Sequence, residues 1–536
     1  MHDVILAVIQ SLGSGQTASG EVPMVEEETQ AHPARSVSVQ VVGRGSSRTM
    51  IVWGVSALSH DAAVAVISGD RVVFASHSER YSRRKNDAEL HPGLIADALR
   101  YGEPSTVVWY ERPLAKKLRH LRAGQYNFLL DTSDLPRRYL RRAGLPPTYQ
   151  FKIVGHHMSH AAAGYFTSGF DEACVITVDA IGEWDCMTVG TFGPGGYRHH
   201  RRTRYPHSLG LLYSAFTRRC GFKPNEEEFI LMGLAGFGKP RHVDSIYDEL
   251  VERTDGGYRL KRNVHRGIDD WLPGAAPEDL AASIQAVTED ILIDIARWGR
   301  QVSGSGNLVL MGGVALNCVA NSRVARESGF ERVSIFPNPG DAGSSLGAAA
   351  AFVGRPLRWD GPYLGASIDR PYDRQGILRC LLAGEVVGVA NGRAEFGPRA
   401  LGNRSVLCDP RGADVKDKVN GVKGREPFRP FAPAVLEEHA DRYFDMPVRR
   451  SPYMQFVAPC RRPDLFPAIT HVDGTSRVQT VARSDHPEFY DLIHEFYRRT
   501  GCPMLLNTSL NKKGEPLVNS WEDALNFGAA TGVKVF

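Results

Sequence analysis

A short pattern occurs twice in this chain and narrows its fold more than any other feature. An apolar strand over 51–56 leads through the polar turn Ser59-His60-Asp61 to a second apolar strand, 62–67. A Ser68-Gly69-Asp70 hairpin turn and a returning strand, 71–76, complete the unit. The order recurs downstream as strand 173–178, the acidic loop Asp179-Ala180-Ile181-Gly182-Glu183, strand 187–192 and the turn Gly193-Pro194-Gly195-Gly196. Such a recurrence of strand, polar loop, strand and tight turn is an internal repeat. Two copies facing one another present both polar loops to one cleft.

Ahead of the second copy lies Gly155-His156-His157-Met158-Ser159-His160-Ala161-Ala162-Ala163-Gly164-Tyr165-Phe166, which follows the strand-like piece 151–154 and reads as a helix. His156 and His160 are four residues apart, so both imidazoles share one helix face about one turn apart. Imidazoles placed this way can hold one metal ion if a third ligand arrives from elsewhere; the plainer reading is a helix start with incidental histidines. His157 points to another face. The best-placed third ligand is Asp341, which follows a proline-rich turn, opens an alanine-rich helix and is a candidate N-cap for it.

A buried strand over 307–311 runs into Gly312-Gly313-Val314-Ala315-Leu316-Asn317 and a helix. Paired glycines between strand and helix let a ligand approach the backbone and the helix N-terminus, although they also serve a simple tight turn. Composition shifts to Gly, Pro, Arg and Trp around 352–363, which marks a domain boundary. Beyond it comes a basic segment with Arg393, Arg399, Arg404, Arg411, Lys416, Lys418, Lys423, Arg425 and Arg429. A solvated surface is the usual meaning of such a run. Here Phe396-Gly397-Pro398-Arg399 and Pro427-Phe428-Arg429-Pro430-Phe431 bracket arginines with aromatics and prolines, which suits rigid guanidiniums that grip phosphate by forked hydrogen bonds.

Composition excludes several classes. With 536 residues, 42% hydrophobic and 23% charged, this is an ordinary globular composition with room for several domains. No apolar run reaches the ~18 residues of a membrane span, and no Lys or Arg precedes the mildly apolar 4–12, so neither a membrane span nor a secretory signal is expected. A formal charge of +4 gives little support to a nucleic-acid partner. Eight cysteines are scattered singly without C-x-x-C, as in free thiols of a reducing cytoplasm. Residues 1–49 lack periodicity and read as a disordered extension, with Met50 a candidate start of the globular chain.

Taken together, these residues resemble the O-carbamoyltransferases of antibiotic biosynthesis and nodulation. The resemblance rests on Gly54-Val55-Ser56 with Ser59-His60-Asp61-Ala62-Ala63, on Ser78-Glu79-Arg80 with Lys85, and on His156 to Ala162. It continues through Val178-Asp179 with Gly182-Glu183-Trp184, Met232-Gly233-Leu234 and Gly312 to Asn317. In the second half it includes Glu395 to Ser405, Arg425 to Pro433 and Asn507-Thr508-Ser509-Leu510-Asn511.

Covering about residues 50–530, the resemblance implies an α/β protein of two modules. Residues 50–355 would form a duplicated actin/sugar-kinase-like domain that transfers the carbamoyl group. Residues 356–536 would form a YrdC-like α/β domain with a twisted sheet that makes carbamoyl adenylate from carbamoyl phosphate and ATP. The group would then pass to a hydroxyl of a small natural product.

Site residues follow from the same resemblance. His60 would be the base that activates the acceptor hydroxyl, and Lys85 would neutralise charge developing on the carbamoyl oxygen or phosphate. His156, His160 and Asp341 would hold a metal: Fe(II) by the resemblance, with Zn or Mn also suited to such donors. Asp179, Gly182 and Glu183 would line the phosphate side of the larger cleft, and Gly312 and Asn317 would flank the nucleoside. Arg399, Arg404, Arg425 and Arg429 would bind carbamoyl phosphate and the ATP phosphates, with Mg accompanying ATP, while Asn507 and Ser509 would hold the adenylate. The resemblance also suggests a homodimer.

The first rival is a tRNA threonylcarbamoyladenosine-type enzyme, since both modules have relatives in that pathway; it requires a basic RNA-binding surface. A metalloprotease is disfavoured because no Glu stands between the two histidines. A non-catalytic nucleotide sensor is separated by carbamoyl-phosphate-dependent ATP–pyrophosphate exchange. The acceptor itself, whether aminoglycoside, cephem, nucleoside or glycopeptide sugar, depends on loops such as 109–149 and 205–229, for which no sequence rule exists.

Overall fold

Valine and isoleucine dominate the strands Ile51–Ser56 and Ala63–Ser68, and β-branched side chains favour a pleated backbone. With Arg71–His77, Thr106–Trp109 and Gln150–Ile153 they build a five-stranded sheet. The first three strands in sequence are antiparallel neighbours, and the other two join in parallel. Ala173–Gly182, Asp185–Gly193, Gly196–Arg204, Asn307–Met311 and Arg332–Ser334 repeat that order and sense in a second sheet. The duplication read from the sequence is present, and it extends to two further parallel strands in each copy. The computed structural model describes residues 49–122, 135–425, 429 and 431–536. The extension expected over 1–49 lies, apart from Thr49, outside the described residues, as do parts of the 109–149 loop and of the 425–433 motif.

Two helices of small residues lie between the sheets. His156–Ser168 packs on the second sheet, Gly343–Val353 packs on the first, and the two helices touch each other. Their contact is backbone to backbone: a Cβ at Gly347 would stand 1.7 Å from the Ser159 carbonyl oxygen. Such close packing is why both helices are rich in Ala and Gly. On its other side the second sheet is covered by the 27-residue helix Pro277–Ser303, which buries one face against Leu308, Leu310 and Ile176.

After Gly354, in the left-handed conformation, the chain crosses back over the first sheet, where Arg358 pairs with Asp70 at 2.9 Å. A third, six-stranded sheet follows. Its order is Gln479–Val481, Ala432–Leu436, Met504–Ser509, Arg404–Cys408, Val387–Ala390 and Lys534–Val535. Helices Arg374–Leu382, Pro487–Thr500 and Trp521–Thr531 belong to this part of the chain, and all three contribute to its apolar core. The protein is thus mixed α/β throughout. Among the described residues no helix is long and apolar enough to cross a membrane, and all eight cysteines are free thiols.

Candidate active site

The helix spacing read from sequence brings His156 and His160 together, with their Nε2 atoms 3.0 Å apart. Two carboxylates close on them. Asp341 Oδ1 lies 3.3 Å from His156 Nε2 and 3.4 Å from His160 Nε2. Asp179 Oδ2 lies 3.1 Å and 3.5 Å from the same two nitrogens. All four side chains are buried, and one donor atom from each falls within 4.8 Å of the others. Asp179 therefore sits among metal-type donors, whereas the sequence reading gave it to the nucleotide and made Asp341 the only acid of the set. Two imidazole nitrogens facing each other and two carboxylates, all out of water, fit a divalent cation of the Fe(II), Zn or Mn type.

Neighbouring residues hold this cluster in place. Glu183 Oε1 accepts from the N–H of His156, at 3.2 Å, and from that of Arg112, at 2.6 Å. A carboxylate thereby caps the N-terminus of the histidine helix, where the helix dipole favours it. Gly182 is where the strand passes the ring: a Cβ there would stand 2.2 Å from the His156 imidazole. Gly312 has φ +92°, and a Cβ on it would lie 2.1 Å from the Val178 carbonyl oxygen, so close strand packing accounts for the glycine. Its neighbour Gly313 donates its N–H to Asp179 Oδ1 at 3.2 Å. Pro339 O lies 2.9 Å from His160 Nδ1 and accepts the N–H of Gly312. Asp341 is not an N-cap, because the helix Gly343–Val353 begins after Ala342; its side chain faces the histidines instead. Asn317 caps the helix Cys318–Glu327, accepting from Ala320 N–H, and exchanges side-chain bonds with Gln285. Its amide is thus engaged within the fold.

His60, on the first polar loop, stands at the mouth of the cluster, with Nε2 3.8 Å from Asp341 Oδ2 and Nδ1 3.0 Å from Asp61. The two loops of the repeat thus converge on one cluster, His60 by way of Asp341 and Asp179 by way of the histidines. Burial works to keep the His156 and His160 rings neutral, but Asp341 and Asp179 outweigh it and raise both. Asp341 and Asp61 likewise push His60 up to about 10. Since 48% of the His60 side chain is exposed, solvent trims the size of that effect but not its sign. Both carboxylates fall in return, although burial opposes the change.

A group with a raised folded pKa lends stability below its unfolded pKa, here 6.5, and loses it as pH rises through the folded value. The cation-free protein is therefore expected to lose stability from pH 6.5 towards about 10. A bound divalent cation meets less proton competition over the same range. The Tm gap between cation-loaded and chelator-treated protein should widen with pH, as read by thermal unfolding. A constant gap would show that no proton is displaced.

A second cluster forms around the third sheet. Arg399 has Arg477 and Arg429 as charged neighbours, and burial together with Arg477 pulls it down to about 9. Among the described residues no carboxylate pairs with Arg399 or Arg477, and Arg477 Nε is buried without a hydrogen-bond partner. Guanidiniums crowded in this way have the charge and forked geometry that suit an anion. Lys423 adds a buried ammonium: burial first, then Arg425, Arg429 and Lys85, hold it well below the usual lysine range. It donates to Ser509 Oγ at 3.0 Å and to Asn511 Oδ1 at 2.6 Å. Asn507 is nearby in the sheet, its Nδ2 donating to Gln479 at 2.7 Å and its Oδ1 buried without a partner. Arg425 stacks on Phe431, with Cζ 3.9 Å from the ring centroid.

Two residues sit otherwise than the sequence reading placed them. Arg404 is fully buried and donates to five main-chain carbonyls, those of Ala366, Asn391, Gly392, Asn403 and Asn519. Its fork ties strands together and is not available to a phosphate. Lys85 lies over the Phe229 ring and contributes to the field at Lys423, so it belongs with the arginine cluster. The sequence reading passed over Lys423 as one charge in a basic run and did not single out Arg477; the burial of each was the missing information.

Comparison with known proteins follows the same division. The profile described as Carbamoyltransferase N-terminus matches residues 129–350, and Carbamoyltransferase C-terminus matches residues 378–536. Nodulation protein NolNO of Sinorhizobium fredii is 34% identical over 87% of this chain and 76% of its own length. Nodulation protein U of the same organism is 34% identical over 89% and 97%. The 3'-hydroxymethylcephem-O-carbamoyltransferase of Amycolatopsis lactamdurans is 31% identical over 89% and 96%. Among solved structures, full-length HypF in its phosphate- and nucleotide-bound form overlaps 57% of this chain and 55% of its own at 14% identity, with a TM-score of 0.33. That last likeness is too slight to carry an argument.

Proposed function

This chain belongs to the carbamoyltransferase family and is a carbamoyltransferase, and from that premise we propose an ATP-dependent reaction at two stations, ending on a hydroxyl of a small-molecule natural product. The modules are 50–355, actin/sugar-kinase-like, and 356–536, YrdC-like; the gap between the two matched profiles, 351–377, supports that division. In the smaller module carbamoyl phosphate gives up phosphate to water. An oxygen of the resulting carbamate attacks the α-phosphorus of ATP, and pyrophosphate leaves. In the larger module the acceptor oxygen attacks the carbamoyl carbon, AMP leaves, and the hydroxyl proton passes to His60, whose ring is neutral for this step because a cation held by Asp341 would offset the carboxylate charge that otherwise keeps it protonated.

The observation that carries this reading is the separation of chemistry. One cluster joins two histidines to two carboxylates with a further histidine at its mouth. The other crowds the guanidiniums of Arg399, Arg477 and Arg429 together, with Arg477 Nε buried and without a hydrogen-bond partner. Arg399, Arg425 and Arg429 neutralise the phosphates, with Mg accompanying ATP, while Lys423 holds Ser509 and Asn511 beside them. Asn507 and Ser509 hold the adenylate. His156, His160, Asp179 and Asp341 would hold the divalent ion, iron in our reading, which would supply Lewis-acid chemistry to the transfer step. Free thiols fit a cytoplasmic enzyme, and we expect a homodimer with no nucleic-acid or membrane partner.

The test is carbamoyl-phosphate-dependent ATP–pyrophosphate exchange, followed by product analysis with a panel of natural-product alcohols and with tRNA. Exchange plus a carbamate ester on an alcohol is expected. Modification of tRNA alone, or no exchange, would refute the assignment.

A further inference from the structure

Phe229 is the second residue of the helix Glu228–Leu234 on the larger module. Two cations from elsewhere stand over its ring. Lys85 Nζ, from the loop after the helix Ser78–Ser82, is 5.6 Å from the ring centroid. Arg429 Cζ, from the smaller module, is 4.7 Å from it. Two like charges drawn to one place repel each other, and a flexible lysine stem loses entropy when held. An aromatic face offsets both costs, because its quadrupole attracts each cation without neutralising either.

The ring stands on a firm base. Glu228 Oε1 accepts from Ser214 Oγ and from Asn225 N–H, each at 2.6 Å. The next residues, Ile230 and Leu231, are buried. Among the described residues Lys85 forms no ion pair, and Glu79 acts on it through the field alone, so the ring is a direct contact that limits where its ammonium goes.

We propose that Phe229 is a positioning residue of the adenylation station, holding Lys85 and Arg429 so that both address one anionic group of carbamoyl phosphate or ATP. This rests on the two-station reading above. Phe229 belongs to the larger module yet serves the smaller one, so the adenylation site is completed only when the modules are docked.

Exchange kinetics test it. Phe229→Leu keeps apolar bulk and removes the ring face. The KM for carbamoyl phosphate or for ATP is expected to rise about tenfold, with kcat changed less than about twofold. Phe229→Tyr should restore wild-type behaviour. In a Lys85→Met background the Leu substitution should cost under about threefold, since one of the two cations it serves is gone. Equal losses with Leu and Tyr, or a full and additive loss in the Lys85→Met background, would mean that the ring merely fills space. Absence of exchange in the wild-type protein would overturn the underlying two-station reading, whereas exchange unaffected by Leu would overturn only the role of Phe229.

Discussion

Asp341→Asn is expected to empty the histidine–carboxylate cluster of its divalent ion and to cut carbamoyl transfer by about a hundredfold or more. The reasoning starts from charge. Four buried donors share one small volume, and two of them are acids. An amide in place of one carboxylate halves the negative charge that attracts a cation and leaves a group that binds metals poorly. Loss of one charged partner at a transition state typically costs about 3 kcal/mol, or about a hundredfold. The same change removes the acid 3.8 Å from His60 and so lets that imidazole fall towards its ordinary pKa. Metal analysis and product formation should fall together in Asp341→Asn, Asp179→Asn and His156→Ala. Exchange of pyrophosphate should continue, because the arginine cluster is untouched. Stoichiometric metal in all three variants would make the cluster a purely structural hydrogen-bond network.

His60→Asn is expected to abolish the carbamoylated product while leaving adenylate formation intact. Asn matches the ring in polarity but accepts no proton, and a positioned general base typically contributes about 10²–10⁴-fold. With its neighbours in place, His60 is the histidine at the mouth of the cluster whose ring meets solvent, where an acceptor arrives. If His60→Asn also stops pyrophosphate exchange, its role lies elsewhere.

How much of this was legible before the structure depended on range. The repeat was, because strand, loop, strand and turn are local patterns, and its consequence, two polar loops at one cleft, appears as His60 beside Asp341 and Asp179 at the histidines. The pairing of His156 with His160 was legible from helical spacing alone. Asp179 was visible as an acid in the right loop, but its partner lies 23 residues away, and only packing of the helix His156–Ser168 on the strand Ala173–Gly182 brings it there. Arg404 misled because its motif is dense in arginines. The run Arg404–Cys408 is wholly buried, and an arginine in such a strand must satisfy its donors from main-chain carbonyls. Gly312 and Asn317 looked like ligand-facing residues because a strand–Gly-Gly–helix pattern serves both packing and binding. Backbone contact with Val178 and helix capping give each residue a role within the fold that the pattern does not distinguish from binding. Phe229 carried no local signal, since the two cations over it come from 144 residues before and 200 residues after it, counting 85 to 229 and 229 to 429.

The separation of adenylation from transfer is the central claim, and one comparison tests it most directly. Arg399→Lys keeps the charge but loses the fork that a phosphate fits, so it should fail with carbamoyl phosphate and ATP. Synthetic carbamoyl adenylate, supplied side by side to Arg399→Lys and His60→Asn together with an accepted alcohol, should restore product in the arginine variant and none in the histidine variant. Equal failure of both variants would contradict two separate stations.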